Sequence, residues 1–134
     1  MAAAGYSGTP LAQKLGIKQG STLALLDEPA GTVAPLPDGV TIKRQARGRA
    51  DVVVAFCTDR AALERRVDAL SKMIFPDGGL WVAWPKKSSG LATTVDENVV
   101  REIALPLGLV DNKVCAIDAT WSGLRLVWRR ERRR

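Results

Sequence analysis

Apolar and polar positions alternate along this chain in short, well-punctuated blocks, and the blocks predict an alternating α/β order. Thr9-Pro10 opens a first short helix over 10–15, with Thr as N-cap and Pro at the first helical position, Leu11 and Leu15 on one face, and Gly16 as its stop. Ser21 to Leu26 is an apolar run of strand length. Asp27 to Gly39 holds Pro29, Pro35 and Pro37 with two glycines, so no long helix forms there. Val40 to Arg44 predicts a second strand, and Asp51 to Phe56 a third that is apolar on both faces, as in a covered parallel sheet. Leu63, Val67, Leu70 and Ile74 recur at helical spacing behind a Thr58-Asp59 cap. Pro76 to Gly79 ends that helix, and Leu80 to Trp84 is another strand apolar on both sides. Thr94-Val95-Asp96-Glu97 has the form of a capping box and opens a helix carrying Val99, Val100, Ile103 and Leu107, which ends at Pro106 and Gly108. Val110–Asp118 and Leu124–Trp128 are the last strands, joined by a hairpin loop over 119–123.

Strand–helix–strand units with buried strands require right-handed crossovers and a parallel sheet, and the closing hairpin forces one antiparallel strand. The predicted fold is therefore a single three-layer, Rossmann-like α/β domain: a mostly parallel sheet of about six strands ending in an antiparallel hairpin. A chain of 134 residues is one domain by length. Residues 1–128 form that domain and 129–134 an arginine-rich tail.

Charge changes this picture only at the end. Of the net +6, the segment 129–134 supplies +4 through five arginines and one glutamate, which leaves a nearly neutral body at +2. Arg129, Arg130, Arg132, Arg133 and Arg134 are accordingly candidates for contact with nucleic acid or an acidic partner, or else a solubilising end to an edge strand. Arg44, Arg47 and Arg49 extend that patch if they lie on the same side. The opening residues lack a basic n-region and a long apolar segment, and no apolar run approaches the roughly 20 residues of a membrane span. No signal peptide and no membrane span are expected, and a cytoplasmic location is the default.

Absences narrow the chemistry. There is no histidine, which removes Ser-His and Cys-His pairs and the commonest metal ligand. Cys57 and Cys115 have no metal spacing and read as small buried hydrophobes. No phosphate-loop or dinucleotide glycine motif occurs. No catalytic residue, metal or cofactor is assigned. The strongest local signal is Gly78 to Gly90, where an apolar strand ends at Pro85 and gives way to Lys86-Lys87-Ser88-Ser89. Ligands in open parallel sheets sit past the carboxyl ends of strands, and two ammonium groups with two hydroxyls suit an anion. Trp84, Lys86, Lys87, Ser88 and Ser89 form one wall of the expected pocket. Asp111, Asn112 and Lys113, with Asp118, Thr120 and Trp121, form the other. Asp118 is either a ligand or general-base group or the anchor of the hairpin, and Trp121 either overlies the pocket or closes the core. Trp81, Trp84 and Trp128 read as core.

Gly5-Tyr6-Ser7-Gly8-Thr9-Pro10-Leu11, Gly79 to Lys86, Gly108 to Asp118 and Thr120 to Arg125 resemble a bacterial family of short proteins known only as a domain of unknown function. The likeness spans nearly the whole chain and implies no activity. Asp51 to Arg129 is also similar to the later part of class I methyltransferases: strand, helix, strand, helix, antiparallel hairpin. That resemblance implies a truncated form of the fold, with at least one strand–helix pair missing from the first half. Methyltransferases approach S-adenosylmethionine with a glycine-rich turn after the first strand and hold its ribose with an acid after the second. Here the turn is Asp27-Glu28-Pro29-Ala30-Gly31, and Lys43 and Arg44 stand where the acid belongs. The expected function is a non-catalytic binding or regulatory module for an anionic small molecule or acidic protein. The alternatives are a nucleic-acid-associated protein acting through its arginine tail, and a methyltransferase relic.

Overall fold

A computed structural model describes residues 10–133. The expected order is present. Helix α1 (Leu11–Leu15) leads into β1 (Thr22–Leu26), β2 (Thr41–Lys43) and β3 (Val52–Phe56). There follow α2 (Arg60–Met73), β4 (Gly79–Pro85), α3 (Glu97–Ala104), β5 (Leu109–Ala116) and β6 (Trp121–Trp128). One six-stranded sheet runs β2-β1-β3-β4-β6-β5. The first four strands are parallel, and β6 lies antiparallel between β4 and β5.

The side-chain alternation of the central strands divides the core in two. Ala24, Leu26, Val53, Leu80 and Val82 face α2 and α3, where they meet Leu63, Val67, Leu70, Ile74, Val100 and Ala104. Leu23, Leu25, Val54, Trp81 and Ala83 face the opposite layer, which is made of α1 and the irregular segment carrying Val33 and Leu36. That layer has no long helix because the prolines of 27–39 forbid one. It is fastened instead by single polar contacts. The indole of fully buried Trp81 donates to the Leu15 carbonyl at 2.9 Å, and the carboxylate of Glu28, only 5% exposed, accepts from the Val33 N–H at 3.0 Å and from Arg44 at 3.1 Å. The indole of half-buried Trp128 donates to the Ser71 carbonyl at 2.8 Å and ties β6 to α2.

Several boundaries shift for local reasons. Pro10 is the N-cap of α1, so the helix begins one residue late, while Thr9 lies outside the described residues. Gly16 does terminate it, at φ 81°. Asp59 caps α2 by accepting from the Ala62 N–H. The cap of α3 is Asp96, bonded to the Val99 N–H, and not Thr94, whose hydroxyl instead accepts from the Arg60 N–H at 2.7 Å. Pro106 ends α3 in a 3₁₀ turn over Leu105–Leu107. The hairpin is tighter than 119–123: Trp121 is already the first residue of β6, paired with Pro85 of β4. Among the described residues no helix is long and apolar enough to cross a membrane.

Candidate functional site

The sheet order fixes where a ligand crevice belongs. The chain steps from β1 to β2 in one direction and from β3 to β4 in the other, so the topological switch lies between the carboxyl ends of β1 and β3. A cavity of about 260 Å³ is found there, bounded by Asp27, residues 56–59, Ala62, Arg66 and Trp121. The chain's own side chains fill most of the crevice. Asp27 follows β1 in a left-handed conformation (φ 58°), and its carboxylate meets the Arg66 guanidinium of α2 at 2.5 Å. Phe56 and Trp121 pack edge to face, with centroids 5.1 Å apart, and both are buried. Burial pushes the Cys57 thiol up to about 11; the Arg66 charge opposes this more weakly, and the Asp27 carboxylate adds slightly to it. That thiol is a packed apolar group, not a nucleophile. Cys115 is only half-buried, on β5, and burial raises it as well.

The larger opening is one strand over, past β4. About 690 Å³ lies between Trp84–Lys87 and Ser122 on one side and residues 93–98 with Arg101 on the other. The acids of this cleft are already engaged. Asp96 caps α3, and Glu97 pairs with Arg101, whose Nε also donates to Asp111 at 3.0 Å. Half-buried Lys86 and exposed Lys87 make no ion pair among the described residues, so they are the cleft's cations without a carboxylate partner, while Asp96, Glu97 and Asp111 balance Lys86, Lys87 and Arg101 in formal charge. The far wall is stapled down: the Thr93 hydroxyl and the Thr94 N–H both donate to the Thr58 carbonyl.

The expected pocket is thus assembled only in part. Trp84, Lys86 and Lys87 line the cleft, with Trp84 7% exposed and packed on the α2/α3 face. Ser88 is exposed in a 3₁₀ turn over Lys87–Ser89, and the Ser89 hydroxyl donates to the Lys86 carbonyl at 2.6 Å, which consumes it in the turn. Asp111 reaches the cleft only through Arg101. Asn112 sits where the β5–β6 register slips, and Lys113 pairs across from Arg125; both are exposed and neither lines the cleft. Asp118 is the hairpin anchor: its carboxylate accepts from the Thr120 and Trp121 N–H groups at 2.8 Å each. Thr120 meets Lys86 through its backbone carbonyl, and Trp121 closes the neighbouring crevice. The cleft's real far wall is the start of α3. The sequence marks Asp96 and Glu97 only as capping residues and marks Arg101 not at all, since nothing local signals its two-acid partnership.

The basic residues form two separate groups. Arg44 pairs with Glu28, while exposed Arg47 and Arg49 offer their carbonyls to Lys43 Nζ at 3.2 and 2.8 Å, which locks the β2–β3 turn. That turn follows the edge strand β2. Arg129, Arg130, Arg132 and Arg133 follow β6, four strand spacings away, or about 19 Å. The two groups do not make one patch. Arg130–Arg132 forms a 3₁₀ turn, the Arg129 N–H donates to the Gly108 carbonyl at 3.0 Å, and Arg134 lies outside the described residues. Among the described residues no group of three potential metal ligands converges.

No family model matches the chain, and no curated protein does. Solved structures do. A SAM dependent methyltransferase from Aquifex aeolicus superposes with TM-score 0.62 at 14% identity, over 87% of this chain and 86% of that one. The magnesium protoporphyrin IX methyltransferase of Synechocystis with bound SAM gives 0.59 at 13%, over 89% and 74%. The fibrillarin pre-rRNA processing protein of Methanococcus jannaschii gives 0.58 at 14%, over 90% and 69%. The fold is a truncated class I methyltransferase fold. The likeness to the short bacterial family of unassigned function rests on its motifs alone, and Gly5 to Thr9 of the first motif lie outside the described residues.

The methyltransferase fold implies S-adenosylmethionine in the β1/β3 crevice, and the residues present do not fit it. The cavity is smaller than the roughly 300–1,000 Å³ typical of small-molecule sites. A left-handed Asp27, ion-paired across the opening, replaces the glycine turn. The end of β2 carries Lys43 and Arg44, and Glu28, which reaches it, is spent on Arg44 and the Val33 N–H.

Proposed function

We propose that this protein is a non-catalytic binding or regulatory module on a methyltransferase-type scaffold, and that it takes a small anionic ligand in the cleft past β4. The observation that carries the reading is the contrast in pairing. In the β1/β3 crevice Asp27 and Arg66 pair with each other, whereas in the cleft the acids are held by the start of α3 and by Arg101, and Lys86 and Lys87 have no carboxylate partner among the described residues. A half-enclosed site with two unpaired ammonium groups attracts phosphate or carboxylate. The volume of about 690 Å³ suits a ligand of metabolite size.

The test is a thermal-shift screen of nucleotides, acyl-CoAs and other phosphorylated or carboxylated metabolites. At least one anion is expected to raise the melting temperature of the native protein, and Lys86→Ala with Lys87→Ala is expected to abolish that response while leaving the unliganded melting temperature in place. Full retention of the response in the double variant removes the reading.

A further inference from the structure

β6 runs antiparallel to β4, so its carboxyl end emerges beside the amino ends of the parallel strands, on the edge of the sheet away from the crevice and the cleft. The arginine segment begins there, and it is folded back onto the sheet. The Arg129 N–H donates to the Gly108 carbonyl ahead of β5 at 3.0 Å, and the 3₁₀ turn over Arg130–Arg132 follows. A trans peptide points its carbonyl away from its N–H. With the Arg129 N–H turned toward β5, the Trp128 carbonyl of the same peptide faces the β4 side, and there it accepts from Arg133 Nε at 2.9 Å. The Arg132 guanidinium lies on the other side, over Gly108, where a Cβ would stand 3.1 Å from its Cζ and Nη1. The two guanidinium groups therefore straddle the end of β6. Each is positioned by backbone and not by a carboxylate, so it is fixed without being neutralised.

An aromatic ring stands beside them in water. Phe75, in the α2–β4 turn, is 37% exposed and packs edge to face on Trp128, with ring centroids 5.6 Å apart. The Trp128 indole is itself pinned to the Ser71 carbonyl, so Phe75 has a fixed backing. Trp128 thus carries the Phe75 ring on its side chain and Arg133 on its carbonyl, both on the β4 side of β6. Arg129, Arg130, Arg132 and Arg133 make no ion pair among the described residues, and the acids of the two segments are Glu131 and Asp77. Lys72 and Asp68, near the end of α2, pair with each other. An unneutralised basic surface with an exposed ring matches a chain that offers phosphates and unpaired bases: the arginine fork takes phosphate, and a base stacks on the ring. An acidic peptide uses the charge but gives the ring no role, and a duplex keeps its bases in the stack.

We propose that this end of the sheet binds single-stranded nucleic acid, with Arg132 and Arg133 on its phosphates and a base stacked on Phe75. The surface is independent of the cleft past β4.

Fluorescence anisotropy at low salt tests it, with labelled oligothymidine and oligouridine of about 12 nucleotides, an abasic strand and a duplex of the same length, and polyglutamate as competitor. A base-bearing single strand is expected to bind more tightly than the abasic strand, the duplex or polyglutamate. Arg132→Gln with Arg133→Gln, both on exposed side chains, is expected to weaken the base-bearing and abasic strands alike. It should also lower the slope of log affinity against log salt by about 1.4, at about 0.7 per phosphate contact. Phe75→Leu is expected to weaken the base-bearing strand on the order of tenfold and leave the abasic strand unchanged, while Phe75→Tyr, which keeps the ring, retains binding. Lys86→Ala with Lys87→Ala is expected to change nothing, which separates this surface from the cleft. The proposal is overturned if neither oligonucleotide binds, if the abasic strand, the duplex or polyglutamate binds as tightly as the base-bearing strand, if Phe75→Leu weakens both strands equally, or if binding is lost only in the Lys86/Lys87 variant.

Discussion

The crevice between β1 and β3 and the cleft past β4 lie on the same edge of the same sheet, yet the chain treats them oppositely. The crevice is closed by an ion pair across its mouth and two interlocked aromatic rings. The cleft is open, with its acids bound by α3 and its lysines unpaired. The scaffold sets where ligands can lie, but the residues at each strand end decide which place stays available. A fold shared with methyltransferases therefore leaves methyl transfer undecided, and the side chains at the switch point argue against it.

The largest effect that would break this contrast is at the crevice floor. If Phe56 is core, Phe56→Ala costs about 3–5 kcal/mol in denaturant unfolding, because a ring 4% exposed and packed against Trp121 is lost. If the crevice were instead a ligand slot, truncating its lining would change stability by less than about 1 kcal/mol. Next is the thiol beside it. Cys57 keeps its proton up to about pH 11 when folded, against 9.0 ordinarily. The unfolded chain therefore releases that proton first as pH rises, so the stability from the buried neutral thiol is complete below pH 9 and falls between about 9 and 11. The loss amounts to about 2–3 kcal/mol. Melting curves across that range should show it in the native protein and not in Cys57→Ala. An open, solvated crevice would erase the difference.

A smaller effect separates the hairpin from the cleft. Asp118→Ala removes the acceptor for two N–H groups and is expected to cost about 1–2 kcal/mol in unfolding while leaving the anion response intact. A loss of anion binding at unchanged stability would move Asp118 into the ligand site. Smallest of all is Arg66→Ala. Its partner Asp27 is 68% exposed, so the pair is worth less than about 1 kcal/mol to stability; its role is to occupy the opening.

The parts of the fold written in local pattern were legible. The stripe Leu63, Val67, Leu70 and Ile74 and the two-sided apolar strands gave the helix and sheet core because burial imposes its period on the sequence. The crevice closure was not legible, because Asp27 and Arg66 are 39 residues apart and meet only through sheet order. The same holds for Arg101, which joins Glu97 on its own helix to Asp111 on a strand. Trp121 reads as a turn residue in one dimension, and becomes a strand and crevice residue only once Asp118 tightens the hairpin. Lys86 and Lys87 were legible as a basic loop after a buried strand. That they line the cleft without an ion pair, while Arg101 beside them has two, depends on partners brought in by α3.

Calorimetric titration of the native protein with S-adenosylmethionine tests the central claim most directly. The closed crevice predicts no saturable heat at protein concentrations high enough to detect a millimolar dissociation constant. Saturable micromolar binding that is lost in Trp121→Ala but kept when Lys86 and Lys87 are both alanine would place the cofactor in the crevice and contradict the account.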